Sequence, residues 1–151
     1  MSQITRKDSC VRNDAVLIGS RAHNFPESIR QLELGKDKHV VNGDFLDEFY
    51  HAPKDQRQSF IDFEPPQSPS QTADRYFYAY CAAEAEKLAH DFNLTVPLWV
   101  ERQYFFLEKP DYAGYPAECI PHRLRLSLEK NSPFEFARRN LFVTSNVLER
   151  Y

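Results

Sequence analysis

Three short stretches hold residue types whose spacing could do chemistry: Glu48-x-x-His51, Cys119-Ile-Pro-His122 and Arg138-Arg139. A glutamate and a histidine three apart share one helix face. They form a ligand pair in di-iron bundles, which need a second such motif and two further glutamates. Glu86 and His90 are four apart, so the second copy is missing. Cys119 and His122 could give zinc two ligands, but a closed structural site takes four and no second close-spaced pair is present. The arginine pair follows Ser132-Pro133-Phe134-Glu135, which has the form of a capping box with proline at the first helical position. Consecutive helical residues lie about 100° apart. The expectation is therefore one arginine turned inward, clamping a carboxylate or helix-end carbonyls and holding the C-terminal residues, and the other turned outward.

Other chemistries fail on spacing. "VLIGS" has the form of the apolar strand ending in Gly-Ser that opens a nucleotidyltransferase, where an Asp-x-Asp should soon follow to hold magnesium. The next acids are Glu27 and Glu33, so that enzyme is rejected. There is no G-x-S-x-G elbow, P-loop or dinucleotide fingerprint. No catalytic residue, cofactor or metal is predicted. Residues 26–50 could be bent into a helix-turn-helix, but its second helix would carry Asp44, Asp47 and Glu48, which repel phosphate.

The elements that must carry these residues read as helices. Only four glycines in 151 residues, with 14% aromatics including 12 Phe, suit helices better than a turn-rich sandwich. A chain this long is one ordinary domain that buries roughly 70% of its unfolded surface. Asn24 before Pro26 starts a helix that Gly35 ends, and Phe45, Leu46, Phe49 and Tyr50 mark an acidic helix over 44–51 stopped by Pro53. A short helix over "KDQRQSFIDF" follows, then a Pro-rich internal loop at 64–70. The strongest element is residues 70–93, where Phe77, Cys81, Ala85, Leu88 and Phe92 form a stripe at helical spacing. Pro97 opens a short helix with Trp99, "DYAGYPAECIP" reads as a loop, and "HRLRLSLEK" fits a strand or a helix equally. So does the apolar run within residues 13–24, and residues 1–12 are polar and expected to be loosely held. The expected fold is all-α, with room for one or two short strands: a compact single-domain helical bundle around the 70–93 helix.

Net charge is −3, unevenly spread: residues 122–151 carry six Lys and Arg against three acids, a net of +3, and the rest carries −6. Three scattered cysteines, no leader and no long apolar run predict a cytoplasmic protein with no membrane span.

In order, "DFLDEFYHAP", "RYFYAYCAAEAEKLAHDFNLTVPLWV" and "SPFEFARRNLFVTSNVLERY" resemble a domain of small, largely uncharacterised bacterial helical proteins. Such domains sit behind helix-turn-helix segments or beside genes of toxin–antitoxin type. The likeness is most specific at "SPFEFARRNLFV", and residues 1–43 lack a clear helix-turn-helix. The resemblance implies a non-enzymatic, protein-binding regulatory module, antitoxin-like, with another protein as partner. Candidate contact residues are Asp47 and Glu48 on the acidic helix and Arg138 and Arg139. A nucleic-acid-associated regulator using the basic C-terminal segment is the alternative, and an enzyme whose site assembles only in space is a third.

Overall fold

The computed structural model describes residues 20–67 and 73–150. It is 57% helical with a small three-stranded sheet. Helix α1 spans Phe25–Glu33, and the Asn24 side chain accepts the Glu27 N–H at 2.9 Å, as its cap position requires. Gly35, at φ 94°, turns the chain out of it, and the Lys36 N–H closes back onto the Gln31 carbonyl. Helix α2, Lys38–His51, begins earlier than the acidic segment alone suggests, because Asp37 caps it through the His39 and Val40 N–H groups. Its inward face is Val41, Phe45, Leu46 and Phe49. A 3-10 turn, Lys54–Gln56, leads into α3, Arg57–Ile61, which anchors Phe60 and Ile61 in the core.

Helix α4 spans Arg75–Asp91, capped by Asp74 through the Phe77 N–H, so the expected 70–93 segment is shorter at both ends. Residues 68–72 lie outside the described residues, as do 1–19, which hold the 1–12 segment and most of the 13–24 run. Residues 20–24 are neither helix nor strand. The stripe Phe77, Cys81, Ala85 and Leu88 is buried, but so are Ala79, Ala82, Ala83 and Ala89. Eleven of the 17 residues of α4 are buried, so it is covered on most sides rather than amphipathic. Alanines let neighbours approach closely enough to cover it. Those neighbours include the two 3-10 turns Leu98–Glu101 and Gln103–Phe105, which bring Trp99, Val100 and Phe105 into the core.

Two local readings are corrected. Residues 111–116 are a hairpin, not a loop: β1 (Asp111–Tyr112) pairs antiparallel with β2 (Tyr115–Pro116). Ala113 and Gly114 both have positive φ, 54° and 95°, the geometry of a two-residue turn that Asn-Gly would have announced and Ala-Gly did not. β1 also pairs in parallel with β3 (Leu141–Phe142), giving the order β2-β1-β3. "HRLRLSLEK" is helical: α5 runs His122–Asn131 and buries only Leu128.

The second correction is the capping box. Because α5 runs up to Asn131, the Ser132 N–H is already bound to the Leu128 carbonyl as that helix's last bond. Ser132 therefore closes α5, and its hydroxyl accepts the Val143 N–H at 2.8 Å. The Glu135 carboxylate turns instead to His90 Nδ1, at 2.6 Å. Helix α6 is a single turn, Phe134–Ala137, and Asn140, at φ 63°, sends the chain into β3. Among the described residues no helix is long and apolar enough to cross a membrane.

Candidate functional site

Arg138 and Arg139 leave α6 at its C-terminal end, past the last helical residue Ala137. The angular separation of an ideal helix does not govern them there, and both reach one carboxylate, that of Glu86 on α4. Arg139 is 0% exposed. Its Nη1 donates to Glu86 Oε1 (2.6 Å) and to the Glu135 carbonyl (2.7 Å), and its Nη2 donates to the Val100 carbonyl (2.8 Å). Burial pulls its pKa down, and the bond to Glu86 opposes that shift. The inward clamp joins a carboxylate, a helix-end carbonyl and a 3-10 turn. Arg139 was a candidate contact residue, and full burial leaves it no surface for a partner to touch.

Arg138 sits one layer out. Its Nη1 donates to Glu86 Oε2 (2.7 Å) and Glu101 Oε1 (2.8 Å), and its Nη2 donates to Glu101 Oε2 (2.7 Å). The bond from Arg138 holds the Glu101 carboxyl below the usual carboxylate range. The guanidinium carbon lies 5.2 Å from the Phe106 ring centroid and 5.9 Å from that of Phe134. Phe134 is 67% exposed. Leu98, three residues before Glu101 on a 3-10 turn, is 90% exposed, and residues three apart on such a turn eclipse one another. The exposed Phe134 ring thus stands beside Arg138, and the exposed Leu98 shares the short 3-10 turn of its partner Glu101.

The acidic face of α2 is not bare. Asp47 receives Arg150 Nε and Nη2 at 2.9 and 3.1 Å, which lowers its pKa. Asp44 pairs with Lys36 at 3.0 Å, and Glu48 bonds His23 Nε2 at 3.0 Å. Arg21 stands within 4 Å of all three acids, at 3.8 Å from Asp44 and Asp47 and 3.6 Å from Glu48. His23, Glu48 and His51 do line one hollow of about 220 Å³ beside Phe60, but His51 Nδ1 binds the Asp47 carbonyl at 2.7 Å. Among the described residues no three His, Cys, Asp or Glu side chains are grouped to hold a metal ion. The Cys119–His122 pair lies at the start of α5, where His122 Nδ1 meets Arg125 Nη2 at 3.2 Å.

The acids that matter most were not singled out by spacing. Glu84 and Glu86 interrupt the alanine-rich run "CAAEAEKLA", and both are buried. A carboxylate set into an alanine-rich stretch of a largely buried helix is the signal, since an unpaired buried charge is too costly to persist. Comparison with protein-family models, with curated proteins and with solved structures finds no match to the chain.

Proposed function

We propose that the chain is a non-enzymatic, protein-binding regulatory module, antitoxin-like in the sense of the domains it resembles, with a helical bundle around α4 as its scaffold. The observation that carries this is the surface made by Leu98, Glu101, Arg138 and Phe134. Phe134, 67% exposed, stands beside an arginine that three hydrogen bonds hold in place, and Leu98, 90% exposed, lies on the turn that supplies its partner Glu101. Apolar and aromatic anchors beside a fixed arginine make up the energetic centre of a protein interface. Preorganising Arg138 on Glu86 and Glu101 lowers the entropy lost when a partner orders that side chain. Arg139 contributes as the buried post behind it. Asp47 and Glu48 would form a second, separate, charge-balanced contact.

The nucleic-acid alternative loses ground. Of the six Lys and Arg in residues 122–151, Arg138, Arg139 and Arg150 are bound to carboxylates of the chain itself. Arg123, Arg125 and Lys130 remain on α5, beside Glu129, too few for a phosphate-tracking surface.

The test compares capture from the native host by the tagged wild type and by the Leu98→Glu/Phe134→Glu variant. Both residues are exposed, so the variant should melt within a few degrees of wild type. One protein retained stoichiometrically by wild type and lost from the variant supports the reading. Equal retention by both contradicts it.

A further inference from the structure

Glu84 lies at the interface of α2 and α4, fully buried, and among the described residues no Lys, Arg or His pairs with it. Across the interface the Asn42 side-chain amide stands against it. One end of that amide stands 2.8 and 3.1 Å from the two Glu84 carboxyl oxygens, and the other stands 3.2 Å from the Tyr80 hydroxyl. Tyr80 in turn opens onto a small hollow of about 60 Å³, lined also by Lys38, His39 and Tyr76.

An amide has a donor end and an acceptor end, so the proton on Glu84 decides which way it faces. An ionised carboxylate only accepts. Asn42 must then point its NH2 at Glu84 and its oxygen at Tyr80, whose hydroxyl donates to it. A protonated carboxyl can donate its O–H to the Asn42 oxygen. The amide NH2 then faces Tyr80, whose oxygen accepts, and the Tyr80 proton is freed to point elsewhere. Both arrangements keep the Glu84–Asn42 and Asn42–Tyr80 hydrogen bonds with the same heavy-atom positions.

We propose that Glu84, Asn42 and Tyr80 form a proton-coupled relay in which the Asn42 amide turns over as Glu84 gains or loses a proton. The relay thereby reverses the hydrogen-bonding sense of the Tyr80 hydroxyl toward Asn42. With Glu84 protonated the Tyr80 O–H proton is released from Asn42; with Glu84 ionised it is bound there. The proton comes from solvent and returns to it. Burial favours the neutral carboxyl and raises the Glu84 pKa. The other groups around the relay are Cys81 on α4 and Tyr50 on α2, each raised mainly by burial and in part by the Glu84 charge. Arg57, Asp91 and Glu149 act on Tyr50 from outside, while Lys38 and His39 stand at the mouth of the hollow. This relay is independent of the Arg138 surface.

Nuclear magnetic resonance tests it on the whole chain, following the Glu84 carboxyl carbon, the Asn42 side-chain NH2 and the Tyr80 ring through a pH titration. The three should move together with one midpoint above the ordinary carboxylate range. In Glu84→Gln, which keeps the shape but fixes the charge at zero, the Asn42 and Tyr80 signals should stay flat. In Tyr80→Phe the Asn42 signal should still titrate. A Glu84 carboxyl that never titrates while the protein is folded overturns the relay. So does an Asn42 signal that is static while Glu84 titrates, or one that titrates unchanged in Glu84→Gln.

Discussion

Arg139 surrenders all of its hydration, and three acceptors replace it at the two terminal nitrogens: Glu86, the Glu135 carbonyl and the Val100 carbonyl. Truncating one partner of such a buried pair strands the other, which costs about 3–5 kcal/mol. Arg139→Ala should lose that much in chemical denaturation. Arg138 is partly solvated and leaves Glu86 still paired when removed, so Arg138→Ala should cost about 1 kcal/mol. Equal losses from the two substitutions would contradict the layered arrangement. Glu84 supplies a pH dependence of definite sign. Its folded pKa lies well above its ordinary 4.5, so the folded state holds a proton that the unfolded state has released. Its stabilising contribution is complete below the unfolded pKa and is lost as pH rises toward the folded one. Relative to Glu84→Gln, wild type should lose melting temperature as pH climbs out of the carboxylate range. A constant difference between the two proteins would show that Glu84 does not titrate. Asp47 and Glu101 act oppositely, because their lowered pKa values put their contribution at higher pH, but both are solvent-screened and small.

At the scale of elements, the seam between α2 and the C-terminal segment turns on Gly43. A Cβ there would meet the Arg150 guanidinium at 2.9 Å, the mobile end of an exposed side chain that also binds Asp47. Replacing a helical glycine by alanine gains about 1 kcal/mol, whereas an exposed ion pair contributes roughly 0.2–1 kcal/mol. Gly43→Ala should therefore be near neutral in wild type and gain its full increment in an Arg150→Ala background. A double-mutant cycle reads the difference. A large loss in both backgrounds would mean that backbone, not Arg150, fills the space. Which elements were legible follows from the signals each one carries. Asn24, Gly35, Pro53 and the 3.6-residue spacing of Phe77, Cys81, Ala85 and Leu88 each act within one turn, so their helices could be read directly. The hairpin could not, because its Ala113 takes a positive φ that alanine does not announce, and its N–H is held by the distant Phe142 carbonyl. The Ser132 capping box failed for a similar reason: two helices compete for one serine, and α5 took its N–H. The arginine cluster was half legible. A clamp was readable from two arginines beside an apolar run, but Glu86 and Glu101, 52 and 37 residues away from Arg138, were not.

For the whole molecule, the question is whether the surface around Arg138 meets a protein or a polyanion. Charge favours the first. The chain carries −3 overall, and half of its C-terminal basic residues are spent internally. Binding to random duplex DNA should be weak at physiological salt, whereas phosphate-driven binding would be strong at low salt and collapse between roughly 50 and 200 mM. An interface built on Leu98 and Phe134 should lose far less over that range. The most direct measurement is the amount of the principal host protein retained by tagged wild type and by Leu98→Glu/Phe134→Glu, in low and in high salt. Stoichiometric, salt-tolerant retention by wild type and its loss from an equally stable double variant are expected. Retention unaffected by the two substitutions, or retention of nucleic acid that vanishes with salt, would contradict it.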